Sequence, residues 1–207
     1  MRRVVLLPAI ALFALAGCSG ATGGQASPVA SGSEPPSSAP GGAQLPGPGV
    51  PKVQNPIDTA KASQNPCMVL TSDESNGFLG GPVVPKAENG AAGPSCGWFG
   101  GYEYEHASIN VIVNGVDKRG LTSVYAAKGK LYKFFQPLAP ADGYPLVAVD
   151  TTEQRTFGEC AASLGVRDDQ VIEVVVRQPD SRKEKKNPCD SVHDVAVAII
   201  GNLRGGQ

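Results

Sequence analysis

The sequence predicts an α+β domain: an antiparallel sheet of about five strands, with helices packed on it and two disulfides. Three observations carry this. Strand-like runs stand next to one another, in the order helix, strand, strand, helix, three strands, helix, which favours hairpin pairing over βαβ crossovers. In the last segment, Asn187 to Leu203, the residues Cys189, Val192, Ala196, Ile199 and Leu203 recur at three- and four-residue spacing, the mark of a helix with one apolar stripe. Cys67, Cys96, Cys160 and Cys189 form an even set once Cys18 is assigned elsewhere.

The elements follow in order. The first helix runs from about Pro66 into the high seventies and ends near Gly80-Gly81, with Thr71-Ser72-Asp73-Glu74 marking a break or second cap. Ala87 to Gly97 reads as a Gly/Pro loop. Trp98 to Tyr104 and Ala107 to Asn114 read as strands, with Ile109, Val111 and Val113 alternating toward one face. Asn114-Gly115 is a turn signal. Leu121 to Lys128 is a short helix, and Tyr144 to Asp150 a strand whose Pro145 implies an edge or a strand start. Cys160 to Val166 and Gln170 to Gln178 form a hairpin around Arg167-Asp168-Asp169, and Pro179 to Lys186 is a polar loop. The triplet Asn65-Pro66-Cys67 recurs as Asn187-Pro188-Cys189, each before a helical stretch. Asn suits the N-cap and Pro the first helical position, so both helices are expected to start and be stapled alike.

The N-terminus sets the compartment. Arg2 and Arg3 precede an apolar run, Val4 to Ala16, too short for the roughly 20 residues a bilayer span needs. Leu15-Ala16-Gly17-Cys18 reads as a lipobox, better than as an uncleaved anchor or a plain secretory signal. Cleavage after residue 17 would leave Cys18 as a lipid-bearing N-terminus carrying diacylglycerol and an acyl chain such as palmitate. Residues 1–17 are then a signal peptide. Residues 18–64, rich in Gly, Pro, Ser and Ala, are expected to be a disordered tether with a reach on the order of 40 Å. No aromatic residue occurs between Ala14 and Gly77. Residues 65–207 are left as one folded domain.

In an exported protein the four remaining cysteines read as disulfides, and three pairings exist. Cys67–Cys96 and Cys160–Cys189 are favoured because each closes a loop of about thirty residues. A zinc site is the poorer reading, since no two cysteines have C-x-x-C spacing. Without Arg2 and Arg3, 16 basic side chains face 19 acidic ones, a net charge of −3. That balance excludes the strongly basic surface that nucleic-acid binding wants.

Candidate chemistry is sparse. His193, with Asp190 three residues before and Asp194 after, has the makings of an Asp–His base, but lies at the flank of the apolar stripe and has no G-x-S-x-G serine. In Tyr102-Glu103-Tyr104-Glu105-His106 a strand would put Glu103 and Glu105 on one face, a pattern for a divalent cation or a glycosidase pair, though more often a solvated face. Some of Trp98, Phe99, Tyr102, Tyr104, Tyr125, Tyr132, Phe134 and Phe135 would line a groove, most being core. Arg182-Lys183-Glu184-Lys185-Lys186 is read as a solvated turn, with phosphates of wall polymers or lipid the alternative. Gly80-Gly81 and Gly100-Gly101 lack the helix and Lys of a phosphate loop.

The string Asn65-Pro66-Cys67-x-x-Leu70-Thr71, the Cys96-Gly97-Trp98, the strand Cys160 and the closing Asn187-Pro188-Cys189-Asp190 before a Val/Ala-rich helix resemble the actinobacterial lipoproteins of the Domain of Unknown Function 3558 family. The resemblance covers the whole folded part, and the lipobox and tether fit it. Gly143-Tyr144-Pro145-Leu146 departs from a Gly-x-Pro-Ala type segment. The resemblance implies an exported, lipid-anchored α+β domain, akin to the sandwich of other actinobacterial surface lipoproteins, and carries over no catalytic residues.

The function expected from these readings is a non-catalytic binding module on the outer face of the cell membrane. It would be held by the Cys18 lipid, with a cell-wall component or envelope protein as partner. No cofactor, metal or nucleic acid is expected, and the domain is expected to be monomeric. An accessory subunit of an envelope complex and an envelope hydrolase are the alternatives.

Overall fold

The computed structural model describes residues 44–205. The expected signal peptide, Cys18 and the expected tether up to residue 43 lie outside the described residues.

The domain is α+β, with seven strands in one antiparallel sheet rather than five. The strands are β1 (Lys86–Gly90), β2 (Gly93–Phe99), β3 (Ser108–Val113), β4 (Phe134–Pro137), β5 (Leu146–Asp150), β6 (Glu159–Arg167) and β7 (Gln170–Arg177), in the order β1-β2-β3-β7-β6-β5-β4. Two meanders, β1–β3 and β4–β7, meet along β3 and β7, where Ile109 faces Val176, Val111 faces Val174 and Val113 faces Ile172.

The two added strands are the edges. The expected loop over 87–97 is a hairpin, with Lys86 opposite Gly97 and Gly90 opposite Gly93. All five β1 residues are exposed, so main-chain hydrogen bonds hold it and no apolar alternation marks it in sequence. β4, at the other edge, is four residues long. The strand expected over 98–104 ends at Phe99. Residues 101–106 turn instead, with Glu105 and His106 at φ of 52° and 59°.

The helices are α1 (Ala60–Gln64), α2 (Ser72–Leu79), α3 (Leu121–Ala126) and α4 (Pro188–Gly205). α4 lies on the face formed by Ile109, Val111, Ala162, Leu164, Ile172 and Val174. Its predicted stripe is buried at Cys189, Val192, Ala196 and Ile199, and is widened by Val195 and Ile200. α3 covers part of the opposite face, packing Leu121 and Val124 with Val147, Val149 and Val171. The two Asn-Pro-Cys triplets start unlike helices. Asn187 Oδ1 accepts from the Cys189 N–H at 3.0 Å at the head of α4. Asn65 makes no side-chain cap, and Pro66–Val69 is a single 3-10 turn. α2 then begins afresh: Thr71 Oγ1 accepts from Glu74 N–H, and Glu74 Oε2 accepts from Thr71 N–H, a capping box.

The disulfides are Cys67–Cys96 and Cys160–Cys189, each spanning 29 positions. The first ties the 3-10 turn to β2. The second ties the head of α4 to the start of β6.

The domain also begins earlier than residue 65. Residues 44–64 form a strap that closes the β6–β7 hairpin end of the sheet. Val53 N–H donates to Asp168 Oδ1 at 2.8 Å and Ile57 N–H to Val166 O at 3.0 Å. Tyr144 Oη donates to Asn55 O at 2.7 Å. Val53, Ile57 and Ala62 are buried in the core. Composition averaged over the Gly/Pro/Ser stretch hides these isolated apolar residues, and their partners lie about a hundred positions away.

Candidate functional site

At the end of the sheet opposite the strap, β7 leaves the fold through Arg177-Gln178-Pro179. Strand alternation turns Val176 and Gln178 toward α4 and Arg177 toward the other face. A cleft of about 140 Å³ opens there, between the last turn of α2 and the first turns of α4. Phe78, Leu79, Ile109, Val176 and Val195 supply its apolar lining, and Gln178, Ser191, Arg182, Lys186 and Asp194 its polar lining. A neighbouring groove shares Phe78, Leu79, Pro179 and Arg182, and is walled on its far side by Glu103, Tyr104 and Glu105.

Gln178 is 2% exposed. Its Nε2 donates to Ser191 Oγ at 2.8 Å. Among the described residues, its Oε1 and Arg177 Nε are the buried side-chain polar atoms without a partner. A buried polar atom left unpaired is costly, which makes the pair conspicuous. The Cys160–Cys189 bridge pins the head of α4 to the sheet, so the wall carrying Ser191 is fixed.

The charges around the mouth are unevenly matched. Lys183 pairs with Asp180 at 2.5 Å, and Lys186 with Asp194 at 2.6 Å. Glu105 accepts from the Ser181 N–H at 2.7 Å. That hydrogen bond holds the Glu105 carboxyl below the ordinary carboxylate range. The Lys183 hydrogen bond does the same for Asp180. Arg182, in the cleft lining, and Arg177, whose side chain is turned to the other face of the sheet, are in no ion pair among the described residues.

The structure thus joins two motifs that the sequence offered separately, the Tyr102–His106 run and the Arg182–Lys186 loop. It does so on different terms from those expected. Glu103 and Glu105 lie on a turn, not on one strand face, and Tyr102 packs edge-on against His106 with ring centroids 4.5 Å apart. Among the described residues, no three His, Cys, Asp or Glu side chains are grouped to hold a metal ion. His193 stands outside the cleft. Its side chain is 30% exposed, its Nε2 lies 3.3 Å from Pro140 O, and its Nδ1 is 3.9 Å from Asp194. Of the aromatic residues proposed for a groove, Tyr104 lines the one beside the cleft, joined by Phe78, Phe99 and Tyr132 line separate open grooves elsewhere, and Trp98 is buried in the core. The key residues Gln178 and Ser191 carry no motif. The only local cue is Pro179, which keeps Gln178 extended.

A family model described as "Protein of unknown function (DUF3558)" matches residues 13–202. No curated protein and no solved structure matches the chain.

Proposed function

The chain belongs to the DUF3558 family, and on that premise we propose that it is a lipid-anchored, extracytoplasmic, non-catalytic binding module whose ligand enters the cleft beside Gln178. The observation that carries this reading is the cleft itself: a small pocket with an apolar floor and a polar rim, a buried amide short of one partner, and one wall pinned by a disulfide. A preformed, concave, mostly apolar site with few placed polar groups is the usual form of a ligand pocket. Pinned walls lower the ordering cost of binding. The anchor reading rests on the lipobox at Cys18.

The test is photo-crosslinking in the native envelope. A photoreactive residue replaces Lys185 beside the cleft, or Val116 far from it, in the full-length protein. The reading predicts a discrete adduct from position 185 and none from 116. Equal labelling from both positions, or none from either, would count against it.

A further inference from the structure

We propose that the cleft takes the free carboxylate terminus of a short peptide whose last side chain is apolar. This inference rests on the binding-module reading above and names its ligand class.

Three features converge on that chemistry. The first is size. An apolar cavity of about 150 Å³ takes up a benzene-sized body. The cleft here, about 140 Å³ and lined by Phe78, Leu79, Ile109 and Val195, fits one such group. That is the volume of a single amino-acid side chain, and it is too small for a lipid acyl chain. The second is the Gln178 amide. It is buried, held at one end by Ser191, and unpaired at the other. Because a hydroxyl both donates and accepts, the amide can present its oxygen or its NH2 to the ligand. A peptide unit offers both complements in a fixed relation, an N–H and a C=O. A fatty acid or inorganic anion brings no N–H donor. The third is charge. Asp194, which itself lines the cleft, and the neighbouring Asp180 and Glu105 are already engaged, by Lys186, Lys183 and the Ser181 amide. Arg182 lines the same cleft without an ion pair among the described residues. A guanidinium offers a planar fork that matches a carboxylate through two parallel hydrogen bonds. A carboxylate terminus would therefore sit at Arg182, its penultimate amide at Gln178, and its side chain on the apolar floor.

The experiment uses 15N-labelled mature chain, residues 18–207 with Cys18→Ser, titrated separately with acetyl-Gly-Leu, its C-terminal amide, sodium octanoate and inorganic phosphate. The expected result is saturable movement of the Gln178 side-chain NH2 and the Ser191 amide signals with the free acid. Binding of the C-terminal amide should be at least tenfold weaker. Arg182→Ala, an exposed change that leaves the core intact, should weaken the free acid about tenfold and leave the C-terminal amide's affinity unchanged. Equal affinity for acid and amide overturns the proposal. So does a cleft that octanoate or phosphate fills in preference, a result under which the binding-module reading still stands. No movement of these signals with any probe also overturns it, and the crosslinking test then judges the broader reading independently.

Discussion

The carboxylate of Glu105 accepts a 2.7 Å hydrogen bond from the backbone N–H of Ser181, joining loops 76 positions apart. It closes the outer wall of the groove next to the cleft, where Glu105 and His106 both occupy the left-handed backbone region that non-glycine residues rarely adopt.

This contact should be pH-dependent. The Glu105 pKa is depressed in the fold, chiefly by the Ser181 amide. Its contribution is therefore fully present above the ordinary glutamate value of about 4.3 and is lost as pH falls through the lower folded-state value. The depressed Asp180 acts in the same direction. The Ser181 amide signal should titrate with a midpoint below that of an unperturbed glutamate, and Glu105→Gln should abolish the transition. A midpoint at or above the ordinary value would contradict the contact.

Removing the bridge at the head of α4, with Cys160→Ala and Cys189→Ala together, should lower the unfolding free energy by roughly 3–4 kcal/mol on the chain-entropy account of a closed loop of this size. Urea denaturation measures it. Peptide mapping without reductant should join Cys160 only to Cys189, and a Cys160 fragment linked to Cys67 or Cys96 would refute the pairing.

The strap should behave as part of the core. Ile57→Ala is expected to cost about 2–5 kcal/mol, the range for emptying a buried aliphatic site. A chain starting at Asn65 should be markedly less stable than one starting at Gln44. If both chains melt together, the strap contributes nothing to the fold.

Cys18→Ala should leave the protein free of lipid label and outside the membrane fraction. A mutant that still carries label and sediments with membranes would remove the basis for the anchor.

The sequence was most legible where the physics is local. The alternation of Ile109, Val111 and Val113 and the spacing of the α4 stripe each depend on one element meeting one face, so periodicity alone reveals them. The break at Thr71 was visible because a capping box is built from residues three apart. The edge strand β1 was not, since its residues bury nothing and it forms only because β2 offers a ladder. The run Tyr102–His106 misled for a related reason: its alternating pattern suggests a strand, but no neighbouring strand pairs with it.

By itself, then, the sequence determined the α+β class, the terminal helix and the two-disulfide framework, because residue spacing and loop length are properties of a linear chain. Only the tertiary structure decided where the domain begins and where its cleft lies. Val53 and Ile57 become core through partners about a hundred positions away. Gln178, an ordinary residue at a strand end, becomes a buried amide because α4 folds back and brings Ser191 against it. Burial and hydrogen-bond satisfaction depend on what surrounds a side chain in space, and no local pattern encodes that.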